Sequence, residues 1–230
     1  MTIIICISLI IILCIVIIWY SIFSIRVLVG IPTIDRDYDK ILDLLKSKFF
    51  TNYDMLIICR ITDITIIQIC KLFNIKFQTV EPYEIEGSHN INKICEKRNL
   101  LVEYAKNNSY DKILMIDSDI RISSLQLYSL IFYSNFYDVV TIPYKIKWAK
   151  TQIVGKNNQI IIPTKFILPI PLKCDYVPAG CTIINVNNAC QFKVSEKNSI
   201  TSEEIGFCEN CKDNKLRICY LTSESTHLMS

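Results

Sequence analysis

The chain has 230 residues, 51% of them hydrophobic and 20% charged, with a net charge of +3. Five glycines and seven prolines are too few for a disordered or fibrous chain, and so mild a positive balance, with Lys and Arg dispersed, excludes nucleic acid as an expected partner. What remains is one folded unit preceded by an unusual segment.

That segment is IIICISLIIILCIVIIW, residues 3–19, an apolar run without a charge. At ~1.5 Å of rise per residue, residues 2–23 are long enough for a hydrocarbon core of ~30 Å, so the expectation is a single-pass membrane anchor over 1–24 and a catalytic body over 25–230. A signal peptide would instead show a positive n-region, a shorter apolar core and a small-residue cleavage site. The side of the membrane is not indicated, because only Arg26 follows closely enough to count. The sequon Asn107-Asn108-Ser109 suits a lumenal body, but single sequons are common by chance.

Of eleven cysteines, Cys6 and Cys14 lie in the apolar run, and the odd number left argues against a fully paired disulfide framework. Cys208-x-x-Cys211 lacks the second ligand pair that a structural zinc site needs, so these cysteines read as small hydrophobes.

Beyond residue 25, short apolar runs alternate with helical patterns. RVLVGIP (26–32) reads as a strand, DKILDLLKSKF (39–49) as a helix, and DMLIICRI (54–61) as a second strand. DITIIQICKLF (63–73) follows as a helix that Asp63 can cap, then IKFQTVE (75–81) as a third strand. A helix over 92–108 leads to KILMID (112–117). Strands apolar on both faces, alternating with helices, predict an α/β fold with a mostly parallel sheet covered on both sides. The second half is less regular: a helix near 123–133, a strand over 138–144, a hairpin through 151–163, and a turn at Pro178 to Gly180 followed by a strand.

ILMIDSDIRI (113–122) places Asp117 and Asp119 one residue apart where the fourth strand ends. In an open parallel sheet, ligands bind at the carboxyl ends of the strands. Two carboxylates there offer hard oxygens to a divalent cation that also holds substrate phosphates. Alone, Asp-x-Asp is short and frequent, and Asp117 would serve equally as a helix cap.

Four stretches in order give the motif context: VLVGIPTIDR (27–36), EKRNLLVEYAKNNSYDKILMIDSDIRI (96–122), YVPAGCTIINVNNA (176–189) and SEEIGFCENCKDNKLRICYLTSESTHL (202–228). This order resembles the GT-A glycosyltransferases, nucleotide-sugar-dependent enzymes of the Asp-x-Asp, family 2-like type, over most of residues 26–228. The resemblance implies a Rossmann-like sheet sandwiched by helices and a UDP- or GDP-sugar donor with Mn2+ or Mg2+. It also implies a glycan, protein or lipid acceptor. It implies that Pro32, Thr33, Asp63 and Arg98 line the nucleotide pocket, that Asp117 contacts donor or metal, and that Gly180 lets the backbone approach the donor sugar. Asp119 is the expected direct metal ligand and His227 a further one. Glu204, or failing it Glu203, is the expected base for an inverting transfer, although this family more commonly places Asp there. Trp148 is a candidate acceptor platform.

Two other classes stay open. A nucleotidyltransferase shares the sheet and acidic ligands but carries an early Gly-rich phosphate loop, where this chain has only Gly30. A degenerate, membrane-bound nucleotide-sugar-binding relative would keep the fold without the chemistry.

Overall fold

The computed structural model describes residues 25–33, 37–46, 49–81, 91–144, 154–156, 159–161, 169–197, 200–223 and 226–227, together with Ile7, Ile10, Leu13 and Val16. Those four are helical and exposed. The rest of the expected anchor lies outside the described residues, among which no helix is long and apolar enough to cross a membrane.

Strands and helices alternate at first: β1 (Val27–Pro32), α1 (Tyr38–Lys46), β2 (Asp54–Arg60), α2 (Ile64–Leu72), β3 (Lys76–Val80), α3 (Ile91–Asn107) and β4 (Lys112–Ile116). The two-residue β5 (Ile120–Arg121), α4 (Ser124–Tyr133) and β6 (Val139–Thr141) follow. Next come β7 (Val154–Lys156), β8 (Gln159–Ile161), β9 (Pro171–Lys173) and β10 (Cys181–Asn185). The chain then forms β11 (Ser195–Lys197), β12 (Ile200–Ser202), α5 (Glu203–Asp213), β13 (Ile218–Leu221) and β14 (Thr226–His227).

Among the described residues the main sheet has eight strands in the order β3-β2-β1-β4-β10-β6-β13-β9. β1, β2, β3 and β4 pair in parallel, β10 runs antiparallel between β4 and β6, and β9 runs antiparallel to β13. Period-2 alternation splits the core between its two faces. Val27, Val29 and Ile31 of β1 join Leu114 and Ile116 of β4 under α1, α2 and α4, in a cluster that includes Leu44, Ile66 and Leu130. Leu28, Ile113 and Met115 face the other way, under Leu101 and Val102 of α3 and Phe207 of α5. Gly30 belongs on this second face, and a Cβ there would press on the Leu101 side chain.

Helix ends follow a common device. Ser123 and Gln126 form a reciprocal capping box at the start of α4, with Ser123 N donating to Gln126 Oε1 at 2.7 Å. α2, α3 and α5 each end in a left-handed residue that is not glycine: Asn74 (φ 53°), Ser109 (φ 55°) and Lys215 (φ 56°). Each is followed by a backbone bond reaching five residues back, Ile75 to Cys70, Tyr110 to Ala105 and Leu216 to Cys211. These are Schellman closures.

Most first-half boundaries agree with the predicted ones within one or two residues. In the second half, β9, the β11–β12 hairpin and the β5–β14 pair were not predicted. They are two or three residues long, too short to show a period.

Candidate active site

The chain runs β1, β2, β3 outward to one edge and returns through α3 to β4 on the other side of β1. The order therefore reverses between β1 and β4, and open α/β sheets bind ligands at the carboxyl ends of the strands at such a reversal. Pro32 and Thr33 leave β1 there, Asp63 follows β2, and Asp117 follows β4.

Asp117 N donates to Gly180 O at 2.8 Å, which carries the β4–β10 ladder one residue past the strands. The Pro178 to Gly180 turn is held from beneath by two buried hydroxyls, Thr141 Oγ1 and Thr182 Oγ1, which reach the Pro178 carbonyl at 2.9 and 2.7 Å. A Cβ on Gly180 would lie 2.5 Å from Tyr144 Oη and 2.7 Å from Asp117 Oδ2. Only glycine lets the turn pass so close to the carboxylate.

Arg98 is the centre of the network, at 3% exposure. Its Nη2 donates to Asp117 Oδ1 at 3.2 Å and its Nη1 to the Ala179 carbonyl at 3.0 Å. Its Nε faces Glu203 Oε1 at 3.7 Å without completing a hydrogen bond. Phe192 lies 5.6 Å from the guanidinium. Burial works against the charge, but Asp117, Glu203 and Glu204 together hold Arg98 above its usual range.

Glu203 and Glu204 open α5, where Ser202 Oγ accepts from Glu204 N at 3.0 Å as the N-cap. Adjacent on the helix, they point to different partners. Glu203 turns to Arg98, whereas Glu204 Oε1 accepts from Ala179 N at 2.8 Å. Burial, with the Glu203 charge adding to it, pushes Glu204 up to about 7, against the pull of the Ala179 N–H and of Arg98. A carboxyl with that value exchanges a proton readily near neutrality.

Asp119 takes a different cation, with Lys40 Nζ of α1 3.8 Å from its Oδ2. Ser118 between the two aspartates is buried. The turn is fixed by Arg121, which donates from Nη1 to Ser118 O and from Nη2 to Lys40 O, both at 2.7 Å. β14 pairs with β5 so that His227 lies opposite Ile120, which brings the His227 backbone beside the residue after Asp119. Trp148 and the side chain of His227 lie outside what the structure describes. Among the described residues no group of three or more His, Cys, Asp or Glu is arranged to hold a metal ion.

One expectation changes. Asp63 occupies the N-cap position of α2 but makes no side-chain cap bond. Its two oxygens instead accept from Arg60 N and Arg60 Nε, both at 2.8 Å, because the buried carboxylate finds a full partner in the turn itself. Cys208, for its part, is tied to Val177, whose N lies 3.4 Å from its Sγ.

Sequence reasoning missed Lys97. At 2% exposure, its Nζ donates to the Thr33 carbonyl, and burial lowers the ammonium to about 8 despite the nearby Asp63 carboxylate. The signal was present: continuing the buried face of α3 back from Leu101, Val102 and Ala105 by three and four residues lands on Lys97 and Arg98.

No protein-family model and no curated protein sequence matches the chain. Solved structures do. Glucosyl-3-phosphoglycerate synthase from Mycobacterium tuberculosis, in complex with Mn2+, UDP and glucosyl-3-phosphoglycerate, superposes with a TM-score of 0.57 at 12% identity, over 93% of this chain and 75% of that one. A mycobacterial protein gives 0.56 at 12% identity over 93% of this chain and 70% of its own. A 4-diphosphocytidyl-2C-methyl-D-erythritol synthase gives 0.48 at 11% identity over 90% and 89%. The chain thus shares the GT-A-like α/β fold of glucosyl-3-phosphoglycerate synthase.

Proposed function

We propose that the chain is a membrane-anchored glycosyltransferase that moves a sugar from a UDP- or GDP-sugar to an acceptor hydroxyl of a glycan, protein or lipid, with inversion. One observation carries it: Glu204, its carboxyl pushed up to about 7, shares the Arg98 network with Asp117 at the switch point of the sheet. An inverting transfer needs a base to take the acceptor proton as the oxygen attacks the sugar carbon. Glu204 is that base. Glu203, occupied by Arg98, keeps the guanidinium in place.

Asp117, Asp119 and His227 would hold a Mn2+ or Mg2+ ion, and hard carboxylate oxygens at a strand end suit either metal. Such an ion, when bound, neutralises the charge developing on the departing diphosphate. The Mn2+ and UDP in glucosyl-3-phosphoglycerate synthase support this choice. Pro32, Thr33 and Asp63 line the nucleotide side, with Lys97 supporting the Thr33 carbonyl from below.

The experiment uses residues 25–230, tested for donor hydrolysis with UDP- and GDP-sugars and Mn2+, beside a chelator control and Asp119→Asn. Release of the nucleoside diphosphate from one donor, lost with chelator and in the variant, is the expected result. Undiminished metal-dependent release by Asp119→Asn would sink the metal role. Pyrophosphate release from a nucleoside triphosphate and a sugar phosphate would replace glycosyl transfer with nucleotidyl transfer.

A further inference from the structure

Segment 189–194 runs as a strap along α5. Asn210 Nδ2 donates to the Gln191 carbonyl at 2.9 Å, and Asn214 Nδ2 reaches Cys190 Sγ at 3.6 Å. Phe192 stacks on Phe207 with centroids 4.3 Å apart, and a Cβ on Gly206 would run into the Lys193 carbonyl. On the other side, Phe192 is bonded twice to Asn99 of α3: its carbonyl accepts from Asn99 Nδ2 at 2.9 Å, and its N donates to Asn99 Oδ1 at 2.7 Å.

Asn210 and Asn214 bracket Cys211 on α5, so their two contacts hold Cys190 over the helical turn that carries Cys211. Cys190 packs against the buried cluster that contains Cys211. Of the nine described cysteines, all thiols, Cys190 is the one that is partly exposed. Lys106 Nζ, bonded to the Ala189 carbonyl at 3.1 Å, adds positive charge beside it.

We propose that Cys190 and Cys211 are a dithiol that closes to an intrachain disulfide when a low-molecular-weight disulfide, such as that of glutathione, reaches Cys190 from solvent. The Cys190 thiolate displaces one thiolate from the reagent and forms a mixed disulfide. Cys211 then gives up its proton and attacks the Cys190 sulfur, releasing the second thiolate. Two protein thiols are oxidised, one reagent disulfide is reduced to two thiols, and both protons end on the released thiols or in solvent.

Chemistry and position agree. The neighbouring Cys211 thiol, with Lys106 assisting, brings Cys190 down to about 7 against its partial burial, while Cys190 and burial together raise Cys211. The accessible sulfur is thus the nucleophile and the buried one the resolving thiol. Cys208, one turn earlier, stays out of the exchange because Val177 holds it. The link would fasten the strap, with Phe192 under Arg98, to the helix that opens with Glu203 and Glu204. It goes beyond sugar transfer and does not depend on it.

The test is thiol mapping of the full reduced chain in detergent, treated at neutral pH with glutathione disulfide. The expected product is a 190–211 linked peptide pair lacking two hydrogens, reversed by dithiothreitol. The melting temperature should rise by roughly 5–10 °C, as closure of a loop of about twenty residues implies. Cys190→Ser should abolish the link and the rise, and Cys208→Ser should leave both. Should Cys190→Ser misfold, limited iodoacetamide gives a second readout, since Cys190 should be alkylated first and the alkylated chain should fail to link. A persistent glutathione adduct on Cys190, a link through any other cysteine, or closure only on unfolding would each overturn the proposal.

Discussion

Glu203 and Glu204 are the same side chain one residue apart, and their surroundings give them different work. Glu203 faces an arginine, while Glu204 has one backbone N–H and a charged neighbour. Folding favours the protonated form of Glu204, since its value rises from 4.5 to about 7. The stability it contributes is therefore present in full below pH 4.5 and lost as pH rises through about 7. Glu204→Gln should then be more stable than the parent at pH 8, by about 1–2 kcal/mol in urea unfolding, while transfer falls by about 10²–10⁴-fold. The parent rate should climb with pH up to about 7 and level off above it. A flat profile would remove Glu204 as the base. Lys97→Met should leave turnover nearly unchanged and raise the donor KM roughly tenfold, read from steady-state kinetics, because only the seat of Thr33 is loosened. Asp117 and Asp119 were legible as a pair because they end an apolar run, and Arg98 was legible by resemblance. What could not be read was direction. Asp117 turns to Arg98 of the helix just before its strand, and Asp119 to Lys40 of a helix remote in sequence.

At the scale of elements, most helix boundaries were legible in position, but the way the helices close was not. Ser123 and Ser202 are oxygen caps ahead of apolar or acidic turns. The closing residues Asn74, Ser109 and Lys215 carry no glycine signal, although each takes a backbone conformation that glycine adopts without strain. Lys215→Gly and Ser109→Gly should each stabilise the fold by roughly 0.5–1 kcal/mol in chemical denaturation, and Asn74→Gly by less, since Asn tolerates this region. Loss of stability on Lys215→Gly would show that its side chain contributes more than the backbone costs. Gly180→Ala is the opposite case. Its methyl would meet Asp117 and Tyr144, so it should destabilise by about 1–3 kcal/mol and depress transfer with it, measured on the same preparation.

For the whole molecule, the parallel half was readable because each βα unit repeats the same alternation of apolar strand and amphipathic helix. In the other half α4, β6, the β7–β8 hairpin, β10 and α5 were also readable, but the topology was not, because β10 takes its place between β4 and β6 from far along the chain and the shortest antiparallel strands leave little period to detect. Residues 1–24 carry the proposed anchor. The full chain should sediment with membranes and resist alkaline extraction, whereas residues 25–230 should remain in the supernatant, and a soluble full chain would remove the anchor. The late arrival of β10 also orders events during synthesis. Until residue 185 has emerged, β4, whose five residues are all buried in the finished sheet, has one side of its backbone unpaired. A nascent chain paused between β4 and β10 thus presents a flat apolar edge to its neighbours, which makes that interval the one in which a chaperone is most needed.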